Sequence, residues 1–200
     1  MHRKGQEAVS LLLMSGILIG VVGSVYFWGV PLIQKSRDAQ LLENAEALML
    51  LIDQKIKTVA ASGGRETIKI VEPGTLRLIG GKISYNISTD GTIYAIDASI
   101  PLGKTGNCDD TKQGVLGQDD SSVLCVVSNQ ISSAKYQNTY TLSYRNLTSG
   151  LKIFRIVLIG PVAAGGAESS IIIENAGVIE ATENGKQVVT VNIDIKIQRA

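Results

Sequence analysis

Residues 8–34 carry no charged side chain, and no other feature of the chain limits its possible folds so strongly. A bilayer core about 30 Å thick takes roughly 20 apolar residues at about 1.5 Å each. The run AVSLLLMSGILIGVVGSVYFWGVPLI meets that length. A secretory signal has a shorter apolar stretch, about 7–15 residues, with a small-residue cleavage site behind it. A buried helix of a soluble domain keeps a polar face, whereas this run is apolar all round. It reads as one membrane-spanning helix. Tyr26, Phe27 and Trp28 cluster near its far end, where amphipathic rings prefer the headgroup region. Arg3 and Lys4 precede it, which favours a single pass with the N-terminus cytoplasmic.

The helical pattern continues beyond the run. Leu41, Ala45, Leu48, Met49, Ile52, Ile56 and Val59 recur at spacings of three and four, while Glu43, Glu46, Asp53 and Lys57 fall on other faces. Gly63-Gly64 is a stop signal. Pro31 predicts a kink, not an end, because membrane helices tolerate proline. The expectation is one long helix over residues 6–62, hydrophobic first and amphipathic after.

From residue 65 the apolar period changes from three-to-four to two. Segments 66–72 and 75–79 flank Pro73-Gly74, and segments 82–88 and 92–100 flank an Asp90-Gly91 hairpin signal. Residues 103–121 form a long polar loop. Strands are expected at 122–127, 135–145, 151–162, 169–174 and 178–180. In the last segment Val189, Val191, Ile193, Ile195 and Ile197 alternate with polar residues, giving one buried and one wet face. No helical pattern interrupts these strands, which argues against a parallel α/β sheet. The class expected is α+β: a long N-terminal transmembrane helix followed, over residues 65–200, by an antiparallel β-sandwich-like domain.

The only two cysteines, Cys108 and Cys125, lie in polar, turn-rich sequence. An even count in an exported domain predicts a disulfide, worth about 3 kcal/mol for a loop of this length. Asn86-Ile87-Ser88 and Asn146-Leu147-Thr148 are sequons, which makes Asn86 and Asn146 glycosylation candidates outside the cell. Catalysis has little to stand on. The sole histidine, His2, precedes the hydrophobic run, so no Ser-His-Asp or Cys-His arrangement and no histidine-rich metal site can be built downstream. No phosphate-binding loop motif occurs, and no cofactor is implied. Asp109, Asp110, Asp119 and Asp120 lack EF-hand spacing and read as a solvated loop, so no metal is assigned. The formal net charge of +1 and the dispersed basic residues speak against nucleic acid as a partner.

Arg3-Lys4-Gly5-Gln6, placed directly before the hydrophobic run, resembles the class III signal peptide of archaeal type IV pilins. The resemblance implies a leader over residues 1–5, cut between Gly5 and Gln6 by a prepilin peptidase, so that the helix stays on the mature chain. It further implies a helical homo-oligomeric filament, built from the membrane by pilus assembly machinery and used for adhesion. Glu7 takes the place of the acid that guides docking of an incoming subunit. The family commonly has serine third and glutamate fifth after the cut, and here those positions hold Ala8 and Ser10. Gly16 and Gly20, in small-xxx-small spacing, are the candidates for close helix approach. The alternative is a membrane-anchored binding module that never polymerises, contacting a surface layer or acting as a stator-like partner of an archaellum.

Overall fold

The structure is a computed structural model that describes residues 3–162 and 164–199, without the side chains of residues 3–9, 164 and 199. Helix α1 runs from Arg3 to Ser62 and includes Pro31. The chain divides into two compact units, Met1–Asp38 and Ala39–Ala200, and α1 contributes to both.

In the first unit the described residues are all helical, and the large apolar side chains from Leu11 to Ile33, other than the half-buried Val30, are exposed. Leu11 is 72% exposed and Trp28 79%. A helix with no polar face and no buried face meets the length and composition required to cross a membrane.

The second unit combines the rest of α1 with strands β1 (Arg65–Ile70), β2 (Thr75–Ile79), β3 (Lys82–Thr89), β4 (Ser99–Pro101), β5 (Gly114–Val115) and β6 (Ser122–Ser132). Strands β7 (Lys135–Tyr144), β8 (Leu147–Ser149), β9 (Lys152–Ile159), β10 (Ala164–Gly165), β11 (Ser169–Glu183) and β12 (Lys186–Arg199) complete it. They make two six-stranded sheets, ordered β1-β11-β12-β9-β8-β5 and β10-β2-β3-β7-β6-β4. The expected α+β class and sandwich-like pair of sheets are what the chain forms. The sheets are not purely antiparallel, because β12 pairs with β9, and β5 with β8, in parallel. Strand β11 lies between β9 and β12 in sequence and reverses the chain, so β12 reaches the edge of β9 running in the same direction.

Alternation gives each sheet one apolar face. Ile68, Ile171, Ile173, Ile193 and Ile195 come from the first sheet, and Leu76, Ile83, Tyr85, Tyr140 and Leu142 from the second. Both sets join Leu42, Ala45, Met49, Ile52, Ile56 and Val59 of α1 in a single buried cluster. The buried stripe begins at Leu42; Leu41 and Leu48, which the spacing also assigns to it, are only partly buried. Asp53, expected on another face, is buried as well.

Three local expectations differ from the fold. Residues 92–100 do not form a hairpin partner for β3, since β2 and β7 already occupy both of its edges. The chain instead leaves β3 through a cluster of side-chain bonds. Thr89 Oγ1 donates to the Gly91 carbonyl at 2.6 Å, Asn138 Nδ2 to Thr89 Oγ1 at 2.9 Å, and Thr92 Oγ1 to Asn138 Oδ1 at 3.1 Å. Only Ser99–Pro101 recovers strand geometry, against β6. Second, segments 169–174 and 178–180 are one strand with a bulge between Asn175 and Gly177. Strand β11 turns into β12 through Asn184 (φ 49°) and Gly185 (φ 76°), the positive pair that a type I′ hairpin needs. Third, Pro73-Gly74 joins strands of different sheets. A Cβ at Gly74 would stand 2.5 Å from the buried Tyr85 ring, whose hydroxyl donates to the Pro73 carbonyl at 3.2 Å.

Two substitutions test this packing on the full chain in detergent, by denaturant or thermal unfolding. Met49→Ala opens a cavity where both sheets and the helix meet and should lower stability by about 2–5 kcal/mol. Gly74→Ala should cost about 1–3 kcal/mol through overpacking against Tyr85.

Candidate functional site: the apolar helix surface and the helix clamp

The assembly candidates lie on the first unit. Gly16 and Gly20 are one turn apart, and a Cβ built on either meets no atom within 4 Å. With Leu12, Leu13 and Ile17, Gly16 borders a shallow apolar notch. The nearby hydroxyls turn inward along the backbone, Ser15 donating to the Leu12 carbonyl at 2.9 Å and Ser24 to the Gly20 carbonyl at 2.8 Å. Polar atoms are thus satisfied within the helix, and the face presented outward is hydrocarbon and backbone. Gly5, Gln6 and Glu7 lie on helical backbone, and their side chains fall outside the described residues.

In the second unit, polar residues fix the helix against β6 and β7. Asp53 Oδ1 accepts from the Tyr144 hydroxyl at 2.8 Å, and Asp53 Oδ2 from Ser122 Oγ at 3.0 Å. Lys57, one turn on, donates to Asp53 Oδ2 at 2.8 Å and to Ser122 Oγ at 2.9 Å, and pairs with Asp120. A lysine ammonium has three N–H donors, and all three are used here. Burial, then the Asp53 carboxylate, pushes the Tyr144 hydroxyl well above its ordinary pKa. Burial works to raise Asp120, yet bonds from Lys57 and Ser122 hold it below the ordinary carboxylate value. Toward the start of this unit, Tyr140 donates to the Leu42 carbonyl at 3.0 Å. The Tyr94 hydroxyl lies 3.1 Å from that of Tyr140 and 3.4 Å from Glu46. At the other end, Asn175 Nδ2 donates to the Val59 carbonyl at 3.2 Å. Sequence reasoning missed this clamp. Its signal was Asp53 and Lys57 at i and i+4, which the spacing placed only on faces other than the apolar stripe.

The polar loop is tied down. Cys108 and Cys125 form the expected disulfide, with Cα atoms 5.8 Å apart. Lys82 reaches Asp110 and draws its carboxyl below the ordinary range. Arg145 is buried, donating through Nε to the Asp120 carbonyl at 2.8 Å, with Nη2 3.7 Å from Asp119. Asp119 also accepts from the Val115 amide at 2.7 Å. The acids therefore serve as acceptors for groups of the protein itself. Among the described residues, no group of three His, Cys, Asp or Glu side chains is placed to hold a metal.

The two sequons occupy different surroundings. Asn86 projects from the outward face of β3, accepting from Thr139 Oγ1 at 2.7 Å. Asn146 precedes β8 and accepts from Arg155 Nε at 3.1 Å. Neither a protein-family model, nor a curated protein, nor a solved structure matches the chain.

The clamp yields a prediction with a sign. Asp120 and Asp110 have depressed folded pKa values, so their contribution is fully present above the unfolded value of about 3.9. It is lost as pH falls through the lower folded values. In acid titrations followed by circular dichroism, Lys57→Met should lower stability at neutral pH. It should also flatten the stability decline below about pH 4, because Asp120 loses the cation that depressed it. Asp53→Ala should cost about 2–4 kcal/mol, while Asp109→Ala in the exposed loop should leave stability unchanged.

Proposed function

We propose that this chain is the structural subunit of an archaeal type IV pilus-like surface filament. It is held in the membrane as a single-pass precursor with its N-terminus cytoplasmic, and it is assembled through the hydrophobic part of α1. The observation that carries this reading is the contrast within one helix. From Leu42 to Val59 one face of it, carrying Ala45, Met49, Ile52 and Ile56 between those ends, is core, and from Leu11 to Ile33 the large apolar side chains other than the half-buried Val30 are exposed. A bilayer solvates the exposed part in the precursor, and the helices of neighbouring copies replace lipid in the filament. Gly16 and Gly20 offer the small surface that such close approach uses. Prepilin peptidase removes residues 1–5, and the sandwich forms the outer, adhesive surface. The disulfide supports placement of the domain outside the cytoplasm.

The second reading, a permanently anchored surface module, is favoured by one feature. Ala8 and Ser10 stand where the family commonly has serine and glutamate after the cut. Exchange of residues 8–34 for an unrelated membrane helix separates the two. An anchored module keeps its surface location and function, whereas a pilin inserts and fails to polymerise.

Two measurements test the filament directly. Mass spectrometry of sheared surface material should find the chain beginning at Gln6 within a high-molecular-weight polymer. Intact monomer confined to the membrane would overturn the proposal. Gly16→Leu with Gly20→Leu should cut polymer yield at least tenfold, about 1.4 kcal/mol at the assembly step, with membrane insertion unchanged.

A further inference from the structure

We infer that Asn86, and not Asn146, carries an N-linked oligosaccharide that lies over the outward face of the β10-β2-β3-β7-β6-β4 sheet. The inference rests on the reading that the sandwich lies outside the cytoplasm. Asn86 sits in the middle of β3, with Thr75 in register on one side and Thr139 on the other. Ile87 is buried in the core, so Asn86 and the exposed Ser88 of the same sequon point outward together. Thr139 Oγ1 donates to Asn86 Oδ1 and orients the amide. Among the described residues, Asn86 Nδ2 donates to no protein acceptor. That nitrogen is the atom a glycan takes, and the bond to Oδ1 survives its attachment.

The surrounding face fits a sugar covering. Thr75, Ser84, Ser88, Gln137, Thr139 and Thr141 surround Asn86 with small or uncharged polar side chains, and Arg77 is the one charge among the adjoining positions. Solvated protein surfaces ordinarily carry about 25–35% charged residues. A sheet face of hydroxyls and amides is suited to hydrogen bonding along a neutral oligosaccharide, which supplies donors and acceptors but no charge. Asn146 is placed differently. Its Oδ1 accepts from Arg155, its carbonyl from the Gly114 amide at 2.9 Å, and Thr148 of its sequon donates to the Gly114 carbonyl at 3.1 Å. Asn146 lines a recess with Lys82, Asp110 and Arg155, so its amide stands among charges while the Thr148 hydroxyl is taken by a backbone carbonyl.

The donor is an oligosaccharide carried on a lipid phosphate. The Nδ2–anomeric carbon bond forms as the anomeric C–O bond to phosphate breaks. The phosphate leaves with the electron pair, and the amide nitrogen gives up one proton.

Tryptic digestion separates the sequons, since cleavage at Lys82, Lys104, Arg145 and Lys152 releases them in residues 83–104 and 146–152. Peptide mass spectrometry of the full chain from its own cells should show sugar increments on 83–104 and none on 146–152. Asn86→Gln and Ser88→Ala should each abolish the increment with the Cys108–Cys125 bridge intact, and Asn146→Gln should leave it unchanged. The bridge, read in the same unreduced digest, reports export. A bridged chain with unmodified 83–104, or with sugar on 146–152, overturns the inference while leaving the surface reading standing. A reduced and unmodified chain overturns both.

Discussion

The fold depends on one buried stripe. Leu42, Ala45, Met49, Ile52, Ile56 and Val59 give the two sheets their common contact, and each sheet directs its isoleucine and tyrosine face to that cluster. At about 1.5–3 kcal/mol for each large side chain fully removed from water, the helix contributes a share of the core that neither sheet supplies alone. Its polar contacts set position more than strength. An apolar stripe slides and rotates at little cost, whereas Tyr144 and Ser122 meeting Asp53, and Lys57 meeting Ser122 and Asp120, define one register. Tyr140 at the Leu42 carbonyl fixes a second point along the same helix. Displacing the helix would strand buried donors and acceptors at about 1–3 kcal/mol each.

The outer surface of the domain is organised by the same economy of charge. The acids of the polar loop could be taken as a cation site, but each is matched from within the chain. Lys82 takes Asp110, Lys57 takes Asp120, and Arg145 with the Val115 amide takes Asp119. Together with the Cys108–Cys125 bridge, these contacts hold a long segment whose only sheet pairing among the described residues is the short β5 against β8. Through the bridge, and with the Cys125 Sγ 3.9 Å from the Asn107 carbonyl, the loop covers Cys125 of β6.

Much of this was legible in the sequence, because two periodicities dominate it. Freedom from charge over residues 8–34 marks the membrane-competent helix, a three-to-four period marks its buried continuation, and strict alternation marks the last strand. The helix end at Gly63-Gly64 and the disulfide also follow from local chemistry. What failed was long-range. Asp90-Gly91 is a sound hairpin signal, yet whether a hairpin forms depends on a free sheet edge, and β2 and β7 had taken both edges of β3. Asn184-Gly185 is an equally sound signal whose flanking residues Glu183 and Lys186 masked the strands on either side. The burial of Asp53 was invisible because its partners Ser122 and Tyr144 are far away in sequence.

The helix finally limits what the protein can do once made. Moving the exposed Leu, Ile, Val and aromatic side chains of residues 11–33 into water would cost tens of kcal/mol, at about 1.5–3 kcal/mol each. A folded domain is stable by only about 5–15 kcal/mol. Folding of the domain cannot offset exposure of this helix surface to water. Two environments remain that can cover the surface: lipid, or apolar helices of other subunits. Passage from the first to the second must proceed without an aqueous interval, since even a brief one carries the full penalty. The proposed filament subunit would therefore pass directly from the bilayer into the polymer, and the anchored module would stay in lipid. In the proposed filament, where helix would meet helix, Gly16 and Gly20 would supply the small surface that close approach uses.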